Sequence, residues 1–468
     1  MIFEPKNLTR AEGSFVLPRV VYARAHASLN RDVIKEFWRN FAFQSSELHI
    51  SECEEYVFSV GAAEKTDLGG GEYAVCVEKD GIFLCAEDEK ALLRGFMTLI
   101  DRIRATEIED VTAAEIECCR FAERAAIPCR MVHFCVFPET ALWELQRFVR
   151  LCGALKYTHI VLEFWGMLRF DCMKELAWAN AFTKEQIRPI IKEAKDLGLE
   201  VIPMFNHWGH ASAGRVMHGK HVVLDQNPTL QPYFSEDGWC WDIRKPKVKS
   251  LLREIREELI ALCGDGEYFH IGCDEAYNFA FSKENMDFIC DFINEISEEM
   301  NGKGRKIIAW GDMFLYRHAQ YNQNNSYSCN APTPEAERYM LERLQKQVVI
   351  ADWQYWAKEA PVETASVFRN AGFDSLLCPW DRGVPQLMAV METVKEQSVM
   401  GFMHTTWHTL MQGMPYVTLA AVLGSEHAEE KSFTWASTST AALLRRVKPC
   451  GGDYERAGWS RVQVSSLW

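Results

Sequence analysis

The sequence predicts an α/β protein in which a (β/α)8 TIM barrel follows a small α+β domain. Three observations lead to this prediction. From residue 129 onward, eight short apolar segments alternate with amphipathic helical stretches, and near-continuous apolar strands of this kind are typical of parallel sheets covered by helices. Before that point the pattern is that of hairpins and a single helix. The length of 468 residues also exceeds one ordinary domain.

The N-terminal region, residues 1–118, is predicted to form the small α+β domain. Residues 72–77 and 82–86 alternate between apolar and polar side chains and flank a Lys-Asp-Gly turn, which is a hairpin pattern. Apolar residues at helical spacing then indicate a helix over 87–103. We expect residues 105–117 to be a polar connector to the next domain.

The catalytic barrel is predicted over residues 119–428, and the tail 429–468 is expected to pack on the barrel or on a partner subunit. The strand candidates are 129–136, 158–164, 199–205, 267–273, 305–310, 348–353, 373–378 and 400–406. The clearest helical stretches between them are 139–155, 184–197, 248–262 and 285–300. In such a barrel the active site lies at the C-terminal ends of the strands.

Composition and charge exclude several classes of function. A net charge of −14 argues against nucleic acid or an anionic membrane as a partner. No uncharged apolar stretch is long enough to span a membrane, and the N-terminus has no secretory pattern. The sixteen cysteines show no CxxC pair, so we expect reduced thiols, a cytoplasmic location, and neither a metal nor a cofactor. A homodimer remains an open alternative to a monomer.

The most informative motif is His270-Ile-Gly-Cys-Asp274-Glu275, at the end of the fourth predicted strand. Neighbouring side chains of a regular strand point to opposite faces, so Asp274 and Glu275 can share a pocket only where the chain leaves the strand. Gly272 permits that departure. Two carboxylates placed in this way are suited to separate catalytic roles. The alternative is a helix N-terminus that carries acids for its dipole.

Aromatic and polar residues follow several other strand candidates at the same end of the predicted barrel. Aromatic walls with a few directional polar groups suit a sugar, which has apolar C–H faces and a rim of hydroxyls. Any one tryptophan could equally be core. As a set we interpret them as substrate-binding candidates: His210, Trp310, Trp353, Tyr355, Trp380, Asp381 and Trp407.

These motifs resemble those of the β-N-acetylhexosaminidases of glycoside hydrolase family 20, in particular the hexosaminidase D branch. The resemblance rests on the Cys-Asp-Glu motif at 273–275, on Ala-Trp-Gly-Asp-Met at 309–313 and on Trp-Gln-Tyr at 353–355. It extends to Val-Ile-Pro-Met-Phe-Asn-His-Trp-Gly-His at 201–210, and the N-terminal region is similar to the accessory domain of the family.

The resemblance implies a retaining exo-hydrolase of 2-acetamido-2-deoxy-β-hexosides in which the substrate's own acetamide is the nucleophile. Asp274 would accept the acetamide N–H and stabilise an oxazolinium intermediate. Glu275 would be the general acid and then the base, for which we expect a raised pKa. The resemblance places the acetamido group in a box of Trp310, Trp353 and Trp407. Tyr355, or an aromatic near Trp380, would hydrogen-bond the acetamide oxygen.

The chain departs from the family pattern where the family reads sugar hydroxyls. Residues 135–138, Cys-Val-Phe-Pro, replace an Asp-x-x-Arg motif, and Asn206 replaces an Asp. The second strand ends around Glu163 in place of a His-rich stretch, and Thr409 replaces a Glu. We therefore expect poor discrimination between gluco and galacto sugars, unless Asp381 or Glu163 has taken over the reading of hydroxyls.

Two alternatives to a hexosaminidase remain at this stage. A metal-dependent barrel hydrolase could bind zinc through His207 and His210 together with Asp274, since barrel hydrolases use His and Asp ligands. However, the two histidines do not form the His-x-His ending of a strand. A catalytically degenerate barrel that binds amino sugars is the other alternative, because several hydroxyl-binding residues are replaced.

Overall fold

An eight-stranded sheet with two helices forms the N-terminal part of the protein in the computed structural model, which describes residues 2–108, 111–212, 223–397, 399–407, 410–425 and 431–447. The helices α1 (Arg31–Phe41) and α2 (Glu89–Asp101) bury their apolar faces in the core of this unit. The strands are β1 (Thr9–Val16), β2 (Val20–His26), β3 (Glu47–Cys53), β4 (Val57–Gly61), β5 (Tyr73–Glu78), β6 (Gly81–Ala86), β7 (Arg104–Ile108) and β8 (Val111–Glu123), in the order β1-β8-β5-β6-β4-β2-β3 with β7 beside β8.

The expected polar connector over residues 105–117 is wrong, because this segment belongs to the antiparallel pair β7 and β8. Ala114, Ile116 and Cys118 alternate along β8 and are buried, as the two-residue period of a strand requires. The charged residues between them, Glu115 and Glu117, give the segment the polarity of a loop. The predicted domain boundary after residue 118 lies inside β8, which pairs with β5 as far as Glu123.

The barrel prediction is confirmed, since eight parallel strands close on themselves with the last strand beside the first. Each strand lies within the segment predicted for it. Side chains from alternate positions, such as Met131, Ile202 and Leu376, fill the interior. The strands are β9 (Cys129–Cys135), β10 (His159–Glu163), β11 (Glu200–Met204), β12 (Tyr268–Gly272), β13 (Lys306–Trp310), β14 (Val349–Trp353), β15 (Ser375–Cys378) and β16 (Gly401–His404).

Helices surround the barrel and begin and end where local sequence signals require. Thr183 and Gln186 form a capping box at the start of the helix Lys184–Asp196, and Gly264, with φ of +69°, ends the helix Pro246–Cys263. The helices are α3 (Leu142–Ala154), α4 (Lys184–Asp196), α5 (Val223–Gln226), α6 (Pro246–Cys263), α7 (Lys283–Asn301), α8 (Pro334–Arg343), α9 (Thr364–Asn370), α10 (Val384–Glu396), α11 (Leu410–Leu423) and α12 (Phe433–Arg446).

The described part of the C-terminal tail packs on the barrel. The helix α12 contacts α11 and α3, and it also reaches α1 of the N-terminal unit. Arg147 of α3 donates to the carbonyl of Leu444 in α12 at 2.8 Å. Residues 448–468 of the predicted tail lie outside the described residues. Within the described part of the chain, no helix has the length and apolar character needed to cross a bilayer.

A buried polar network joins the N-terminal unit to the barrel. The Lys156 ammonium group, just after α3, donates to Glu123 Oε1 at 2.8 Å and to the Tyr73 hydroxyl at 3.3 Å. Tyr73 in turn donates to Glu123 Oε2 at 2.7 Å. All three side chains are buried. Lys156 and Glu123 thus form a buried ion pair. Removing only one of the two charges is costly, because the other charge then stays buried without its partner.

We therefore predict non-additive effects at this junction. Glu123→Gln and Lys156→Met should each lower the free energy of unfolding by about 3–5 kcal/mol, whereas the double variant should lose clearly less than the sum. Urea denaturation of the four proteins measures the coupling. Glu185→Gln, in an exposed ion pair on α4, is the control and should remain close to the wild type. Additive losses would show that the three groups do not act as one network.

Candidate active site

A left-handed turn carries Asp274 and Glu275 to the mouth of the barrel. Gly272, Cys273 and Glu275 have φ values of +66°, +78° and +49°, which break the strand alternation that would separate the two carboxylates. A Cβ atom at Gly272 would lie 1.6 Å from Oδ1 of Asn206 on the neighbouring strand exit. Only glycine fits at this position, and the sequence interpretation of the turn is confirmed.

Asp274 lies at the bottom of the site and is almost completely buried. Its Oδ1 atom has no hydrogen-bond partner among the described residues. Burial raises the pKa of Asp274 well above its ordinary value, and the nearby carboxyl groups of Asp312 and Glu275 act in the same direction. The site therefore holds one buried acceptor atom that a ligand N–H would satisfy.

Glu275 is more accessible and is surrounded by donors. Its Oε2 atom lies 2.6 Å from Nε2 of His210, and the same nitrogen is 3.6 Å from Oδ2 of Asp274. Nε1 of Trp239 donates to the Glu275 backbone carbonyl at 2.6 Å, and the backbone N–H of Tyr277 donates to the same oxygen at 2.7 Å. His210, predicted as a substrate-binding residue, is thus placed against both carboxylates, where it can hold Glu275 in one orientation.

Asp312 supports the site from below. One of its oxygens accepts the Glu275 backbone N–H at 3.0 Å and the Asn330 amide at 2.7 Å, and the other accepts Nε1 of Trp353 at 3.1 Å. These donors favour the carboxylate form, but burial outweighs them and raises the pKa of Asp312 to about 7. The sequence motif contained Asp312, but it gave no reason to predict this role.

The predicted aromatic residues form one wall of the mouth and its floor. Nε1 of Trp407 donates to the Tyr355 hydroxyl at 2.5 Å, and the Tyr355 ring centroid lies 5.1 Å from those of Trp353 and Trp380. Trp310 is 0% exposed and lies deeper, in the barrel interior, 5.5 Å from Trp407. It closes the floor of the site rather than forming an accessible side.

The loop after β15 adds a cation that sequence reasoning missed. The Arg382 guanidinium lies 3.7 Å from the ring centroid of Trp380 and 4.6 Å from that of the exposed Trp356. Asp381, predicted as a substrate-binding residue, lies between Trp380 and Arg382 in the chain and is half-buried. The position of Arg382 directly after Trp380-Asp381 at a strand end was the signal available in the sequence.

The side of the mouth formed by the first two barrel strands is apolar at its surface and polar below. Cys135, Phe137 and Trp165 form an apolar cluster where the family pattern has an arginine. Beneath it, Glu163 accepts from Asn206 Nδ2 and contacts His133 Nε2, both at 2.8 Å. Glu163 is therefore buried with both oxygens engaged. Thr409 lies outside the described residues.

The zinc site that was considered as an alternative does not form as predicted. His207 is buried, and its Nδ1 contacts the Phe205 carbonyl at 2.6 Å. It does not belong to the group formed by His210, Asp274 and Glu275, in which one ligand atom from each residue lies within 4.8 Å of the others. These three side chains could contact a small cation, but they are also the groups that an acid and a charge-stabilising carboxylate require.

Comparison with known proteins agrees with this geometry. The sequence profile of the glycosyl hydrolase family 20 catalytic domain matches residues 160–413. A lacto-N-biosidase of Bifidobacterium bifidum is 20% identical over 272 residues, a match that covers 54% of this chain but only 23% of that protein.

Solved structures show the same fold. A family 20 exo-β-N-acetylglucosaminidase of Vibrio harveyi in complex with N-acetylglucosamine superposes with a TM-score of 0.67 at 15% identity, covering 95% of this chain and 76% of the other. The N-acetyl-β-hexosaminidase of Streptomyces plicatus gives a TM-score of 0.63 at 15% identity, with 97% and 94% covered. The family match over more than half of the chain, together with the Asp-Glu pair at the mouth of the barrel, shows that this protein belongs to glycosyl hydrolase family 20.

Proposed function

We propose that the protein is a retaining exo-β-N-acetylhexosaminidase that uses the 2-acetamido group of its substrate as the nucleophile. One observation carries this proposal. Asp274 keeps a buried oxygen without a partner among the described residues, and the aromatic wall of Trp353, Tyr355 and Trp407 stands at the same mouth. An acetamido group would supply both the missing N–H donor and the apolar methyl group that such a wall accommodates.

The first step forms a ring within the sugar. The acetamide oxygen attacks C1 while Asp274 accepts the acetamide N–H and stabilises the positive charge that develops on the group. Glu275 transfers its proton to the glycosidic oxygen, and the C1–O bond breaks as the leaving group departs. The products of this step are an oxazolinium ion, a Glu275 carboxylate and the free alcohol.

In the second step Glu275 acts as a base instead of an acid. The Glu275 carboxylate removes a proton from water, and the resulting hydroxide attacks C1 from the side that the leaving group vacated. The C1–O bond of the oxazolinium opens and restores the acetamide, so two inversions give net retention. His210, at 2.6 Å from Glu275 Oε2, keeps the carboxyl group directed at the reacting oxygen in both steps.

The polar edge of the aromatic wall fits the acetamide carbonyl. Because an indole can only donate, the Tyr355 oxygen is the acceptor of the bond from Trp407. Thr405 Oγ1 donates to the same oxygen at 3.1 Å, so the phenol proton remains to be donated to a ligand. Donation to the acetamide oxygen would hold it in position for attack on C1.

A sugar without the acetamide should not be turned over. We predict that an aryl 2-acetamido-2-deoxy-β-glucoside is hydrolysed with retention, and that the matching aryl β-glucoside is slower by on the order of a thousandfold or more, because it lacks the internal nucleophile. Steady-state kcat/KM and the anomer released first measure both parts. Comparable rates on the two glycosides would contradict substrate assistance, and binding without turnover would indicate a degenerate barrel.

The two carboxylates should be separable by leaving group. Glu275→Ala should cost roughly 10²–10⁴-fold on a disaccharide, whose departing alkoxide needs a proton, and far less on a nitrophenyl glycoside. Asp274→Ala should cost a similar factor on both substrates, because the acetamide attacks C1 whatever the leaving group is. The kcat/KM values of both variants on both substrates test this. The opposite pattern would exchange the two roles.

The pH dependence of kcat/KM should reflect the ionisation of the buried carboxylates. Asp274 must be ionised to accept the acetamide N–H, but its pKa is raised and that of its neighbour Asp312 is about 7. We therefore expect the acidic limb of kcat/KM to lie at a higher pH than an ordinary aspartate would give, since an ordinary aspartate stays ionised down to about pH 4. Stopped assays over the pH range locate this limb.

Asp312→Asn removes one of the charges that raise the pKa of Asp274, so the acidic limb should move to lower pH even if the maximal rate falls. Asp80→Asn, at an exposed turn of the N-terminal unit, is the matched control and should leave the limb unchanged. A limb that stays in place in Asp312→Asn would show that another group sets it.

A further inference from the structure

His270 is a buried histidine of β12 that the proposed mechanism does not use. Its side chain is 0% exposed, and its ring centroid lies 4.5 Å from that of Trp310 at the floor of the site. Its Nδ1 atom accepts the backbone N–H of Gly272 at 3.0 Å, whereas its Nε2 atom has no partner among the described residues. Within the described part of the chain, the bond to Gly272 is therefore the polar contact that this imidazole makes.

This bond lies where the regular pairing of β12 ends. The strand pairs with β13 from Tyr268 to His270, and the register shifts between His270 and Gly272, where the left-handed residues of the turn begin. A buried N–H group that loses its acceptor costs about 1–3 kcal/mol. The imidazole supplies an acceptor to the backbone two residues further on, as the side chain of an asparagine does in an Asx turn.

The Nδ1 atom can accept this bond only while it carries no proton. Burial lowers the pKa of His270 well below its ordinary value, and the nearby His133 and His207 act in the same direction. The ring is therefore neutral, and the bond from Gly272 places its single proton on Nε2. Burial and hydrogen bonding thus favour the one form of the side chain that can hold the turn.

The side chain of Asp274 has few contacts of its own, whereas Glu275 is held on several sides. The residues that contact the backbone or the carboxylate of Glu275 are Asp312, Trp239 and His210. By contrast, Oδ1 of Asp274 has no partner among the described residues, and Oδ2 lies 3.6 Å from the His210 ring nitrogen. The position of the Asp274 carboxylate therefore depends on the backbone that leads to it, which His270 holds at Gly272.

We propose that His270 positions Asp274 for the reaction, by holding the start of the turn through its Nδ1 atom. The inference rests on the proposed hexosaminidase activity and adds a positioning residue to it. Without the bond, the backbone before Asp274 can relax, and the carboxylate moves away from the point at which it accepts the acetamide N–H. A displacement of about 1 Å at such a group costs up to about a hundredfold in rate.

Two substitutions of His270 separate positioning from packing. His270→Leu keeps a side chain of similar volume but removes the acceptor. His270→Asn leaves a cavity beside Trp310, which lowers the stability more, but its amide oxygen can accept the Gly272 N–H two residues further on. A packing role makes the Asn variant the less active of the two, whereas a positioning role makes it the more active.

The kinetics should follow the acceptor and not the stability. In His270→Leu, kcat should fall about ten- to hundredfold, and by the same factor on a nitrophenyl 2-acetamido-2-deoxy-β-glucoside and on a β-linked disaccharide of N-acetylglucosamine, because the loss acts on Asp274 rather than on the acid. KM should rise far less than kcat falls, since the aromatic wall is unchanged. His270→Asn should stay within about threefold of the wild-type kcat, although urea denaturation should find it the least stable.

His159→Leu is the matched control. His159 is the first residue of β10, at the opposite end of the barrel, with its ring centroid 5.8 Å from that of Tyr268. The same substitution there removes a histidine from a barrel strand without touching the turn, so kcat and KM should both remain at their wild-type values. Circular dichroism verifies that all of the variants fold.

NMR spectroscopy of the imidazole nitrogens tests the bond to Gly272 without any turnover. The spectrum of the wild type should contain a neutral ring protonated at Nε2, and this signal should be missing from that of His270→Asn. A His270 ring protonated at Nδ1 would overturn the inference, because that nitrogen could then not accept the Gly272 N–H.

The possible failures are distinguishable. If the wild type hydrolyses neither substrate, the proposed function itself fails, and the positioning role fails with it. If the wild type is active but His270→Asn is no more active than His270→Leu, the side chain acts through packing, and the inference is wrong while the hexosaminidase activity stands. A loss in His270→Leu that appears on the disaccharide alone would place the effect at Glu275 and would overturn the assignment to Asp274.

Discussion

The turn at the end of β12 is the constraint on which the site depends. A regular strand would direct Asp274 and Glu275 to opposite faces, and three left-handed residues within four positions bring them to one pocket instead. The close approach of Asn206 to Gly272 and of Gly209 to the Asp274 carbonyl leaves no room for a Cβ atom at either glycine. Strain of this kind persists only where surrounding packing enforces it, as it does at the rim of a closed barrel.

The same packing brings acidic side chains together, and the surrounding residues do not fully neutralise their negative charge. Asp274 and Asp312 are buried next to Glu275, and His210 is the basic group in contact with the first and last of these carboxylates. Arg382 is instead held between two indole rings. An excess of buried carboxylates is unfavourable while the pocket is empty, but it suits an intermediate that carries a positive charge. On the proposed mechanism, the raised pKa values follow from a site that is shaped for a positively charged intermediate rather than for its resting form.

The sequence predicted the barrel well because parallel strands buried on both faces are recognisable as apolar runs, and all eight lie where expected. It failed at β7 and β8, where one solvated face made an antiparallel pair resemble a polar loop. The pairing of Asp274 and Glu275 was predictable because adjacent residues share one turn. The contacts of Asp312 and Trp239 were not, since they depend on how loops from different strands fold over each other, which no local pattern encodes. Likewise, the apolar pattern of the sequence placed Trp310 at the end of a strand, but it could not show that this side chain closes the floor of the site.

On the proposed function, the replaced residues of the first two barrel strands bear on how a sugar is recognised. Hydrogen bonds to a buried arginine discriminate strongly between epimers, because a mismatch leaves charged groups unpaired. Here Cys135, Phe137 and Trp165 present an apolar surface, and Glu163 below it is fully engaged by Asn206 and His133. On the proposed mechanism, discrimination should therefore come mainly from the acetamide group. A barrel mouth of this kind should discriminate least between sugars that differ only in the orientation of one hydroxyl group.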